Sequence, residues 1–212
     1  RQCMTLGNDV SAWGQVAPRE IEPLWMLKYL PNMVASHISI LLNAQGHSNT
    51  IVLGDNSSLP ALIEGIELLQ RGWADVVIVG ATGSQLNPTA SVYRDRTRLA
   101  SQVEDPATAV RPFDAHRTGT VFGEGAAAFV VETFASARSR GANILARVLG
   151  SDRAFAVPGQ MVERLMRSLQ DTLARAGVSP EEVGHINANG TGVVAEDRWE
   201  AQGLARVLPK CP

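Results

Sequence analysis

The stretch Asn49-Thr50-Ile51-Val52-Leu53-Gly54-Asp55-Asn56-Ser57-Ser58 holds the fold of this chain in small compass. Asn49 to Leu53 reads as a short buried strand. Pro60 to Arg71 reads as a helix, with Pro60 in its first turn, Ser57 or Ser58 as cap, and Leu62, Ile63, Ile66 and Leu69 on one face. Between them the chain turns sharply. Such an elbow lifts one side chain clear of the sheet and aims helix N–H groups at it, a geometry suited to a thiolate or alkoxide. Here the tip is a carboxylate, Asp55. An aspartate before a helix also has an ordinary use as a cap.

Working downstream, Gly72 closes the helix, and Trp73 to Gly80 reads as a second buried strand. Strand, helix and strand of these lengths predict a right-handed crossover between parallel strands. Upstream, Asn32 to Gln45 has helical spacing, with Asn32 as cap and Gly46 as terminator, and residues 1–30 read as loop-rich around Trp13 and Trp25. Beyond a polar stretch at 85–110, Ala126 to Glu132 reads as a strand, and its small residues predict close approach of another element. A short helix at 134–140 and a strand from Ile144 to Leu149 follow. Met161 to Ala176 is an amphipathic helix with Val162, Leu165, Met166, Leu169 and Leu173 in one stripe and Gly177 as its end. Ser179-Pro180-Glu181-Glu182 has the form of a capping box. His185 to Ala188 reads as a strand delivering the Asn189-Gly190-Thr191-Gly192 loop, and Asp197 to Val207 as the last helix.

Composition narrows the function. The 212 residues are 45% apolar and 19% charged, with net charge −2, which argues against nucleic acid and anionic membranes as partners. No apolar run approaches the roughly 20 residues that span a bilayer, and the first residues lack the apolar core of a signal peptide. Cys3 and Cys211, near opposite ends, leave a pairing open but fit better as free thiols in a reducing, cytoplasmic setting. His37 and His185 sit in apolar contexts and are expected in the core or at an interface. No histidine or cysteine has metal-ligand spacing. Gly119 to Gly125 lacks the ending of a phosphate loop and is expected to serve close packing.

Four stretches together resemble the β-ketoacyl-(acyl carrier protein) synthase family of the thiolase superfamily. Asn32 to Ser39 is similar to the family's "NMVAGHLS", and Gly72 to Ala81 to its "GDADVMVAGGAE". Arg111-Pro112-Phe113-Asp114 through Ala126 is similar to "RPFD…GFVLGEGAG", and Ile186 to Thr191 to "VNAHGT". The resemblance is near-collinear and implies an α/β fold, the thiolase-like αβαβα layering, of which this chain is expected to carry the middle portion. Residues 1–150 would be the rest of the N-terminal half, with the elbow at 54–58, and 151–212 the start of the C-terminal half. The opening strands, the second histidine motif and the glycine-rich loop of the family are expected to lie outside the chain.

In that family an elbow cysteine takes the acyl group, and two histidines and a lysine assist decarboxylation and condensation. The resemblance puts Asp55 at the cysteine position, Asn189 at the first histidine and Trp199 at the lysine, so no catalytic residue is expected intact. Asn56, Ser57, Gly190 and Thr191 would be the substrate-side residues. Gly123, Gly125, Asp197 and Glu200 are kept as framework. A carboxylate at the elbow is a poor nucleophile and repels a malonyl carboxylate, and an asparagine cannot cycle a proton. This pattern is similar to the chain-length-factor subunits, which often keep "DRxEA", here Asp197-Arg198-Trp199-Glu200-Ala201, although glutamine rather than aspartate is usual at their elbow. The implied partners are an active ketosynthase subunit or a second copy in a dimer, and acyl carrier protein. No cofactor is implied beyond the carrier's phosphopantetheine. Two alternatives stay open: an active acyltransferase or malonyl decarboxylase using a non-cysteine site such as Ser57 or Ser58, and a structural remnant without chemistry.

Overall fold

The computed structural model describes residues 14–15, 19–86, 98–101 and 105–211. Cys3 and Trp13, and with them a Cys3–Cys211 pairing, lie outside these residues; Cys211 is a free thiol. The chain divides into two compact units, Arg1–Ser57 and Ser58–Pro212.

In the first unit, a 3-10 turn at Trp25–Tyr29 brings the two aromatic rings edge to face at 5.7 Å. It leads to helix α1, Met33–Leu41. Asn32 stands at the cap position without using its side chain as a cap. The helix ends before the expected Gly46. Asn43 takes a left-handed conformation (φ 51°), and Ala44 N–H donates to the Ser39 carbonyl, so asparagine supplies the stop. His37 is exposed, as is His185 in the second unit, which corrects the expectation that either is a core residue.

Helix α2, Ser58–Gln70, opens the second unit. Gly72 (φ 68°) turns the chain into strand β1, Val76–Ser84. Its partner is β2, Glu124–Glu132, in an antiparallel ribbon whose register runs from Val76 opposite Glu132 to Ser84 opposite Glu124. The face carrying Val77 and Val79 packs on α2. The fit is close: a Cβ at Gly65 would lie 2.5 Å from Val79 Cγ2. Helix α3, Phe134–Ser139, is capped by the Thr133 hydroxyl, which accepts from Ser136 N–H.

Helix α4, Met161–Ala176, forms as its apolar stripe predicts and ends at Gly177 (φ 64°). The capping box also forms: Glu182 accepts from both the N–H and the hydroxyl of Ser179. Helix α5, Val194–Val207, packs on α4, with Gly203 so close that a Cβ would sit 2.7 Å from Leu165 Cδ2. Buried apolar side chains include Val79, Ala109, Ala137, Val207 and Leu208.

Three expected strands are not formed. Residues 49–53, 144–149 and 185–188 belong to no ladder among the described residues, and Val52, Leu53, Leu145, Val148 and Leu149 are exposed. The parallel crossover is therefore absent there, and β1 pairs with an antiparallel neighbour instead. Apolar, β-branched composition favours extended backbone, but a strand also needs a second chain segment to take its N–H and C=O groups. The glycine-rich approach is likewise only partly as expected. Gly119 is tightly packed, whereas a Cβ at Gly123 or Gly125 would meet nothing within 4 Å.

Candidate functional site

The elbow is a 3-10 turn, Gly54–Asn56, directly before α2. Gly54 has φ 62°, a conformation that carries no penalty without a Cβ. Ser57 staples the turn: its hydroxyl donates to the Gly54 carbonyl at 2.7 Å and accepts from Leu53 N–H at 2.9 Å. That hydroxyl is turned back on the preceding turn rather than forward as the helix cap expected from sequence. Asp55 and Asn56 are exposed in the turn, and Asp55 lies three residues ahead of the first residue of α2. In the same unit, Asn32, Ser36, Ser48, Asn49 and Thr50 line an open polar cleft of about 370 Å³, which no sequence pattern announced.

The second cluster is built by α5. Its inward face carries Asp197, Glu200, Gly203 and Val207, so two acids occupy a face where apolar residues are the rule. Each acid has a loop to hold. Glu200 Oε1 accepts from Asn189 N–H at 2.7 Å, and its Oε2 from Gly190 N–H at 2.9 Å. Asp197 Oδ1 accepts from Gly192 N–H at 3.0 Å, and its Oδ2 from Phe113 N–H at 2.8 Å. The side chain of Asp197 is fully buried, and Arg117 Nε lies 3.1 Å from Oδ2 as its counter-charge, close enough for an ion pair although its N–H is not aimed along that line. Arg117 also donates to the carbonyls of Asp114 and Val194. Beside it, Arg98 pairs with Glu196 at 2.9 Å.

Backbone shape makes the same loop possible. Gly192 has φ 78°, and a Cβ there would lie 2.5 Å from the Gly119 carbonyl oxygen. Gly119 in turn presses on Leu99 and Ala100, where Leu99 and Thr120 form a parallel bridge. Phe113, with φ 63°, is held in the left-handed region by the bond from its N–H to Asp197.

The arrangement has chemical consequences. The N–H groups of Asn189, Gly190 and Gly192 are taken by carboxylates, so these three donors are not available to an oxyanion. The Asn189 residue is exposed, while Gly190 and Thr191 are half-buried. Thr191 turns its hydroxyl inward, accepting from Val193 N–H at 3.2 Å. Trp199 is half-buried on α5, beside the clamp rather than in it. The structure thus brings Asn189, Gly190 and Thr191 together on one clamped loop, and places Asp55, Asn56 and Ser57 on the stapled turn of the other unit. Arg117 and Arg98 were missed from sequence. Two buried acids three apart on α5 were the available signal, since buried carboxylates require cations or N–H donors. Among the described residues, no three His, Cys, Asp or Glu side chains gather as a metal set, and no helix is long and apolar enough to cross a membrane.

Comparison with known proteins gives a consistent answer. Residues 4–137 match the model of the β-ketoacyl synthase N-terminal domain, and residues 141–212 that of the C-terminal domain. The chain is 32% identical over 208 residues to a 3-oxoacyl-[acyl-carrier-protein] synthase 2 of Mycobacterium bovis, covering 95% of this chain and 49% of the relative. A protein of the same name from Staphylococcus aureus is 32% identical over 192 residues, covering 88% of this chain and 48% of the relative. The chain spans about half the length of the curated relatives it matches. Among solved structures, a β-ketoacyl synthase of Burkholderia phymatum superposes with TM-score 0.81 at 25% identity, covering 93% of this chain and 50% of the other. A type II polyketide ketosynthase, solved in complex with its acyl-carrier protein, gives TM-score 0.78 at 25% identity over 86% of this chain and 46% of the other.

Proposed function

The chain belongs to the β-ketoacyl synthase family, and from that premise we propose that it serves fatty acid or polyketide assembly as a non-catalytic, chain-length-factor-type partner of an active condensing enzyme. The observation that carries the reading is a contrast. The loop is firmly held in this chain, with Glu200 on Asn189 and Gly190 and Asp197 on Gly192. The positions that the sequence resemblance assigns to the family's cysteine, histidine and lysine hold Asp55, Asn189 and Trp199. A carboxylate at the turn neither accepts an acyl group usefully nor tolerates a malonyl carboxylate beside it. Framework without reagents suits a subunit that shapes a site for another chain.

On this reading the protein works in the cytoplasm. It pairs with a cysteine-bearing ketosynthase, or with its own copy, and meets substrates on acyl carrier protein. Nothing favours Ser57 as a substitute nucleophile, because its hydroxyl is committed to Gly54 and Leu53. The test is incubation with radiolabelled acyl-carrier-protein thioester, alone and with the condensing enzyme of the same host. The reading expects no covalent acyl group on this chain and co-purification with the enzyme. Stable label on Ser57 or Ser58 would make it an acyltransferase, and failure to co-purify would leave the remnant reading.

A further inference from the structure

We propose that one end of the β1–β2 ribbon is a docking surface for a carboxylate-rich segment of a partner protein, gripped by two arginine–aromatic stacks. This surface is separate from the clamped loop and from the stapled turn, and it does not depend on the proposed function. The register sets Val76 opposite Glu132, so Trp73, just before β1, and Phe134, just after β2, emerge at the same end of the ribbon. Both rings are open to solvent, Trp73 54% and Phe134 45% exposed. The Arg71 guanidinium lies 5.0 Å from the centroid of Trp73. Phe134 carries two: Arg138 at 5.7 Å and Arg147 at 4.7 Å.

The two arginines on Phe134 are what call for a partner. Arg71 and Arg140 are matched by Glu67 and Glu132. Arg138 and Arg147 have no carboxylate within ion-pair distance among the described residues. Each of these guanidiniums lies against the ring without a counter-charge, and an incoming carboxylate would supply one. A guanidinium lying against a ring keeps its N–H donors for such an anion, in the fork that fits a carboxylate with two bonds. The ring beside it supplies apolar contact, and aromatic residues with arginine are the residues that dominate protein interfaces.

The position is also informative. Helix α2 runs from Ser58 to Gln70, and its 13 residues separate this end from the helix start by about 20 Å. A short segment docked here would sit away from the start of α2. A protein segment is favoured over nucleic acid because Arg71 and Arg140 are already paired, and the two cations left, Arg138 and Arg147, suit one or two carboxylates rather than the run of phosphate contacts by which nucleic acid is held.

The experiment is fluorescence anisotropy of a labelled glutamate-rich helical peptide titrated with the whole chain, and of a labelled DNA duplex in parallel. The peptide is expected to bind, and to bind less as salt is raised. The double variant Arg138→Glu/Arg147→Glu is expected to weaken binding roughly tenfold or more, while Arg167→Glu, on the exposed side of α4, leaves it unchanged. Arg138→Lys/Arg147→Lys keeps the charge and the fold but not the planar stack, and an intermediate loss is expected. The proposal is overturned if the wild-type chain does not bind the peptide, if either double variant binds as wild type does, or if the duplex binds as tightly as the peptide.

Discussion

Glu200 holds Asn189 by its backbone: Oε1 takes the Asn189 N–H at 2.7 Å, and the side chain of Asn189 plays no part in the bond. The loop geometry is therefore indifferent to what residue stands at 189, and a histidine could be exchanged for an asparagine there without disturbing the frame. In Glu200→Gln one of the two acceptor oxygens becomes a donor. Amide hydrogen exchange at Asn189 or Gly190 is expected to speed up markedly, with little change elsewhere on α5. Unchanged protection at both would show that the carboxylate does not hold the loop.

Asp197 is the more heavily committed acid. Asp197→Ala orphans the N–H groups of Phe113 and Gly192 and leaves the Arg117 charge without its partner. Removing one member of a buried pair typically costs about 3–5 kcal/mol. A urea titration should show a loss of that order. A loss below about 1 kcal/mol, the range of exposed pairs, would mean the pair is solvated.

Gly192→Ala tests the backbone. The new methyl would enter at φ 78° and lie 2.5 Å from the Gly119 carbonyl, against main chain that has no side chain to swing away. Strain plus overpacking predicts a loss of about 2–4 kcal/mol, read as a lowered urea midpoint. Gly123→Ala meets open space and is expected to change stability by less than about 0.5 kcal/mol.

Acid should loosen the turn at Ser179. Hydrogen bonds from the Ser179 N–H and hydroxyl hold the Glu182 carboxyl below the usual glutamate value. The folded value is depressed, so this contribution to stability is present above the unfolded pKa and lost as pH falls through the folded one. An NMR titration should find Glu182 protonating below the ordinary glutamate range, with Ser179 N–H exchange rising as it does. Titration at the ordinary value would show that the capping box is not formed in solution.

What could be read from the chain alone was whatever local physics decides. The α4 stripe and Gly177 needed no knowledge of neighbours, nor did Ser179 and Glu182, three residues apart. The squeeze at Gly119 was legible as a glycine cluster, though Gly123 and Gly125 belonged to it only in sequence. The strands at 49–53, 144–149 and 185–188 failed for the opposite reason, since Val52 or Val148 advertises extended backbone but not a partner. The Arg117–Asp197 pair joins residues far apart in the chain, and the backbone bond that twists Phe113 into a left-handed turn leaves no mark on its neighbours. Half the candidate site, the acids of α5, was visible as retained framework, and the cations that make those acids tolerable were not.

The proposed function rests on reading the turn before α2 as the seat of an acyl-accepting thiol, with Asp55 in its place. The most direct measurement is intact-protein mass spectrometry of the chain and of Asp55→Cys after incubation with an acyl-carrier-protein thioester. The account predicts no acyl adduct on the wild-type chain and one thioester-linked acyl group at position 55 of the variant. An adduct on the wild-type chain, or a variant thiol that stays unmodified, would contradict it.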